Sequence, residues 1–302
     1  MPFIGELAAI GTSLAFSFGS VFFTFAGRSV GTGFLNRVRL ALALLFTMLL
    51  HQIITGSLYP INTPPDTILW MAASGLVGYV IGDALLFQGF VLVGPRLSFL
   101  MMALAPVLGT IMAWVFLHEE LSLIEITGIV ITMAGIAIVV GEPPQTAATE
   151  TPQKDRRQYV MGLLFAFGGA LGQAGGSLLS KIGLAGGLPA ISGNAIRLTA
   201  AMILVWILAI FRGQLISTYQ TVRQNRRIMG YVVIGTIAGP VIGVWLALTS
   251  VQLAPLGVVT TLQSLPPIFL IPISYFVFKE RITRRMVLGT LIAILGSVLL
   301  FF

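Results

Sequence analysis

The run G-Y-V-I-G-D-A-L-L-F-Q, residues 78–88, places Asp83 within a long uncharged apolar segment. An ionisable group at that depth must face a bundle interior or a watery cavity, because lipid cannot solvate it. Such an acid can hold a proton, bind a cationic group of a ligand, or pair structurally with an arginine or lysine. Tyr79 precedes it by four residues and shares its helical face. Two further sites repeat one pattern: N-R-V-R-L at 36–40 and N-A-I-R-L at 194–198 each set an arginine three residues after an asparagine. Arg39 and Arg197 can present fork-shaped donors to a carboxylate or phosphate. They can equally anchor helix ends by reaching towards the membrane surface. Gln173, Ser177 and Lys181 are four apart and line one helical face. That face is a polar path, unless Ser177 bonds its own backbone and Lys181 reaches the interface. Glu119, Glu120 and Glu280 lie in turns, where capping the following helix is a better reading than acid–base catalysis.

These residues need elements to position them, and composition says which. The 302 residues are 57% hydrophobic and 9% charged, against about 25% charged in soluble domains. A helix crosses a bilayer with about 20 mostly apolar residues. Ten such segments are predicted: 4–26, 36–54, 67–91, 95–117, 121–141, 159–182, 189–211, 228–250, 255–278 and 282–302. The net charge of +7 sits in short loops, so it reads as a topology signal and not as a nucleic-acid footprint. Without cysteine there are no disulfides, thiolate metal sites or thiol nucleophiles. No phosphate-binding loop or zinc-protease motif is present. The chain is therefore expected to be no enzyme and to carry no cofactor or metal.

The segments fall into two sets of five. Residues 142–158 have linker composition and divide a first unit, 1–141, from a second, 159–302. Pro106, Glu119, Gly128 and Gly135 match Pro267, Glu280, Gly289 and Gly296 at one offset of 161 residues. Ser74, Gly78 and Gly82 match Gly235, Gly239 and Gly243 at the same offset, as small-residue ridges for helix packing. Of the 17 Lys and Arg, all but Lys181 and Arg197 fall on one membrane side if the second five-helix unit is inverted relative to the first. The expected fold is thus an all-α integral membrane protein with ten transmembrane helices as two inverted-topology five-helix repeats. The basic side is expected to be cytoplasmic, with both termini outside.

The doubled Pro, Glu, Gly, Gly block, the Asn-x-x-Arg of the second helix in each half and the ten apolar segments resemble the EamA family of the drug/metabolite transporter superfamily. The resemblance covers essentially the whole chain. It implies a secondary transporter of the cell membrane, commonly an exporter of amino acids or related metabolites, working by alternating access. It implies cytoplasmic termini, whereas the charges argue the reverse. It also implies a central cavity lined by helices four, eight and nine, which here carry Ser98, Met101, Trp245, Gln263 and Ser264. Specificity is expected where the two copies differ: Asp83 against Val244, Ala84 against Trp245, Met102 against Gln263. The expected partners are a small-molecule substrate, the lipid bilayer and protons, the last through Asp83, in a monomer or homodimer that binds no nucleic acid. Other readings are a passive facilitator or channel-like carrier and a lipid-handling membrane protein.

Overall fold

The computed structural model describes residues 3–118, 120–141, 152–254 and 262–301. Glu119 and the linker up to residue 151 lie outside them, as does the start of the ninth segment. The described residues are all helical apart from turns and loops. In chain order the helices are α1 (Ile4–Val30), α2 (Thr32–Thr55), α3 (Pro65–Gly75), α4 (Asp83–Met102), α5 (Leu104–Leu117), α6 (Leu123–Val140) and α7 (Pro152–Leu184). They continue as α8 (Ala190–Phe211), α9 (Leu215–Gln224), α10 (Arg226–Thr236), α11 (Val244–Leu253), α12 (Pro266–Val277) and α13 (Arg284–Leu299). Among the described residues, seven helices or helix runs are long and apolar enough to cross a membrane; α5 and α12 are shorter apolar helices.

Several boundaries differ from the expected ones for local reasons. Helices α3 and α4 continue into one another, and the expected break between the third and fourth segments falls at Gly94, with φ 81° and ψ 164°. Pro95 follows, and a proline disfavours helical geometry in the residue before it. The stretch after Phe211, expected as a loop, contains the short helix α9, with Ile216 and Tyr219 exposed. The expected capping of the last helix by Glu280 does not occur: Thr283 accepts from the Met286 amide. In the first half the Ser122–Glu125 capping box does the same work for α6.

Burial is arranged as a bilayer demands. Large apolar side chains such as Phe116, Leu123 and Phe211 are exposed, while Thr12, Ser13, Ser17, Ser20 and Thr24 of α1 are buried. Those hydroxyls bond to backbone carbonyls, as buried polar groups must. Ser13 Oγ donates to the Leu262 carbonyl at 2.6 Å. Pro266 has no N–H to offer that carbonyl four residues earlier, and α1 supplies a short bond to it beside the longer one, 3.4 Å, from the Leu265 amide.

The halves pack as a two-fold exchange. Helix α1 lies antiparallel to α10 and α11: Gly5 meets Ala254 and Gly19 meets Gly235 and Gly239. The twin pair, α7 against α3 and α4, is also antiparallel: Gly176 meets Gly78, Gly172 meets Gly82 and Gly162 meets Val93. Helix α2 packs on its own twin α8, and α6 on its own twin α13. Gly128 and Gly135 of α6 touch the Gly296 and Gly289 backbones of α13. The matched glycines of the duplicated block are therefore one helix–helix seam.

Each half also contains a seven-residue π-helical stretch, Leu76–Gly82 and Ile237–Gly243. The two stretches are twins at the 161-residue offset. Such wide turns are rare and tend to occur at functional positions. Pro240 sits in the second stretch and Tyr79 at the same place in the first. The distortion therefore does not depend on the proline.

Candidate functional site

Arg39 and Arg197 are each the eighth residue of their helices. At about 1.5 Å per residue this puts each about 10 Å in from its helix start. That depth corrects the anchoring reading of Arg39 and its place among the face charges. It is buried, and its Nη2 donates to Asp83 Oδ2 at 2.6 Å and to Asn36 Oδ1 at 3.2 Å. Asp83 follows directly on the first π-helical stretch. It is therefore the structural partner of an arginine.

Tyr79 sits between the two arginines. Its ring faces the Arg197 guanidinium at 4.6 Å and Arg39 at 6.0 Å. Its hydroxyl donates to Asn194 Oδ1 at 2.5 Å, and its carbonyl accepts from Asn36 Nδ2 at 3.1 Å. Both Asn-x-x-Arg motifs thus converge on one tyrosine. Close approach is possible because a Cβ at Gly75 would collide with the Arg197 backbone, and one at Gly78 would lie 3.3 Å from Arg197 Nη2.

Four members of this cluster, Arg39, Tyr79, Asp83 and Asn194, form part of the wall of a cavity of about 510 Å³ between the halves. Arg39, Tyr79 and Asp83 come from the first half, and Gln173, Asn194 and Gln263 from the second. Phe16, Phe23, Phe87, Phe90, Phe99 and Met102 supply an apolar lining. A second cavity of about 260 Å³ holds Arg197 and shares Tyr79, Asn194, Pro240 and Val244 with the first.

The other expected site residues separate into two groups. Met102, Gln173, Gln263 and Ser264 are in the wall of the larger cavity. Gln263 also donates to Ser250 Oγ at 3.0 Å, which fixes its amide. Ser98 is buried and bonds the Gly94 carbonyl at 2.9 Å, beside the helix break. Met101 packs in the core with Leu97 and Leu104. Ser177 and Lys181 are exposed. Trp245 is 50% exposed and belongs to neither cavity wall. Asn36 and Asn194 entered the sequence reading only as flanking motif residues, and the α1 face of Phe16, Gly19 and Ser20 was not read as a site at all. The asparagines carried a signal, their match across the halves. The α1 face carried only its stripe of hydroxyls.

One end of the bundle is tied across the halves. Arg96, 2% exposed, donates through Nε to Glu280 Oε2 at 3.0 Å. Arg28 donates to the Val91 carbonyl at 3.3 Å and lies 5.5 Å from the Phe278 ring. Arg37 bonds Gln214. At the opposite end, His51 joins α2 to α8 through Ser192 Oγ at 2.9 Å. Arg28, Arg37 and Arg96, three of the charges assigned to one face in the sequence, thus lie at one end.

A family model described as the EamA-like transporter family matches residues 3–141 and, a second time, residues 160–302. No curated protein matches the chain. A solved structure titled only as a crystal structure of a protein is similar over 98% of this chain and 94% of its own, with a TM-score of 0.62 and 15% sequence identity. At that identity the likeness shows the fold alone.

Proposed function

Because the chain belongs to the EamA-like transporter family and is a multi-pass membrane protein, we propose that it is a secondary active transporter of small metabolites. Its substrates are amino acids or related compounds, exported across the cell membrane. The transport unit is two inverted five-helix repeats, 1–141 and 159–302, with ten transmembrane helices and a linker at 142–158. One observation carries the reading: the buried Arg39–Asp83 pair of the first half shares the wall of a cavity with Gln173, Asn194 and Gln263 of the second. Binding sites of inverted-repeat carriers lie at that interface, near the membrane midplane.

Rocking of the halves opens the cavity to each membrane face in turn. The Arg96–Glu280 pair joins the halves at the basic end, so it must part when that end opens. The basic end is cytoplasmic by its charge bias. Asp83 is the proton-coupling residue in this scheme. A proton on Asp83 would release Arg39 and change the charge of the cavity. Twin positions do not share this device, since Val244 stands opposite Asp83 in the repeat.

The test is counterflow in proteoliposomes loaded with unlabelled amino acids. A carrier gives saturable uptake of labelled solute that rises with solute on the opposite side. Flux indifferent to the opposite side would identify a pore and reject the reading.

A further inference from the structure

The two arginines of the site are twins, but among the described residues only Arg39 has a carboxylate within ion-pair distance. Arg39 is neutralised by Asp83 at 2.6 Å. The corresponding partner of Arg197 would come from position 244, where valine stands. Val244 and Arg197 form part of the wall of the same cavity. Arg197 touches the Tyr79 ring, yet its Nε and Nη2 are buried with no hydrogen-bond partner. Arg197 as a whole is half-buried, but its buried unpaired donors are costly, and so is a charge with no partner beside it. Among the described residues of both cavity walls, the charged ones are Arg39, Asp83 and Arg197. Two cations against one anion leave the interior one positive charge in excess.

We propose that Arg197 is the binding site for the carboxylate of a monoanionic substrate, which takes the place of the acid missing at position 244. This rests on the transporter reading above and narrows its substrates to the related compounds that carry a carboxylate without the compensating ammonium of a zwitterionic amino acid. A single negative charge balances the site, whereas a doubly charged phosphate would overshoot it. The planar fork of arginine suits a carboxylate. The rest of the ligand is apolar, because the adjoining cavity is walled by Phe16, Phe23, Phe87 and Phe90. Tyr79 is in the wall of both cavities, stacks on Arg197 and holds Asn194, so it fixes the guanidinium beside the junction of the two.

The experiment is calorimetric titration of the detergent-solubilised protein at neutral pH with 3-phenylpropionate, and with 2-phenylethylamine as the cationic counterpart. The wild type should bind the carboxylate and not the amine. Arg197→Gln should weaken carboxylate binding by about tenfold or more, the effect of losing a charged hydrogen bond. Val244→Asp should do the same by placing an internal carboxylate beside Arg197. Asp83→Asn should tighten binding, because Arg39 becomes a second free cation, and a misfolded protein cannot mimic that gain. The inference is overturned if the amine binds in preference, if the wild type binds no carboxylate, if both loss variants bind normally, or if Asp83→Asn fails to tighten binding. Counterflow of a neutral or cationic solute alongside such a result would sink this inference and leave the carrier reading standing.

Discussion

Replacing Asp83 with leucine is expected to destabilise the folded protein by about 3 to 5 kcal/mol, the range for removing one partner of a buried ion pair. The reason is what stays behind. Arg39 is 6% exposed and cannot reach water in this packing. Among the described residues, its other side-chain acceptor is Asn36 Oδ1 at 3.2 Å. Its guanidinium also lies 5.2 Å from the Phe87 ring, which is weak compensation for a lost carboxylate. Adding Arg39→Leu to Asp83→Leu should restore most of the loss, because two apolar residues of suitable volume can replace a buried pair at little net cost. Thermal or denaturant unfolding in a mild detergent gives the comparison. If the double variant is no more stable than Asp83→Leu alone, the pair is not the coupled unit described here.

Gly135→Val is expected to have the second large effect. Helices in a bilayer gain no hydrophobic drive for meeting each other, so they hold together by close van der Waals contact between small residues. A Cβ at Gly135 would run into the Ala293 backbone and the Gly289 carbonyl of α13. The obstacle is backbone, which cannot swing aside like a side-chain tip. The α6–α13 seam must therefore open along its length. Overpacking of this kind costs about 1 to 3 kcal/mol, with larger losses where nothing can yield. Gly109→Val is the control, since a Cβ at Gly109 meets nothing within 4 Å. The expected result is a clear fall in melting temperature for Gly135→Val and little change for Gly109→Val. Equal effects would mean that the matched glycines do not hold the halves together.

The repeat was the most legible feature of the chain, because duplication leaves matched residues wherever packing constrains them. Gly128, Gly135, Gly289 and Gly296 match in sequence and meet in space. Asn36, Arg39, Asn194 and Arg197 match and converge on Tyr79. Asp83 stood out because lone charge in an apolar run is expensive, but its partner could not be read. Arg39 lies 44 residues away and looked like one of many basic residues near a membrane face. The Arg96–Glu280 pair was illegible for a related reason. The position matching Arg96 in the second half is Gly257, so the repeat held no hint of it. Trp245 shows the opposite failure. A difference between the copies suggested specificity, yet only the three-dimensional packing says that its ring lies outside both cavity walls. The π-helical stretches also left no trace in hydrophobic periodicity, which reports which face is apolar but not how tightly the ladder is wound.

In the proposed transport cycle, one cavity between the two halves opens to each membrane face in turn. The chain has no cysteine, so Met102→Cys, in the cavity wall, gives a single reporter. In oriented proteoliposomes a membrane-impermeant maleimide should label this cysteine from either face, with the basic-face reaction faster when Glu280→Gln removes the pair at that end. Labelling from one face only, under both backgrounds, would contradict the account, because the cavity would then be a pocket with a single mouth.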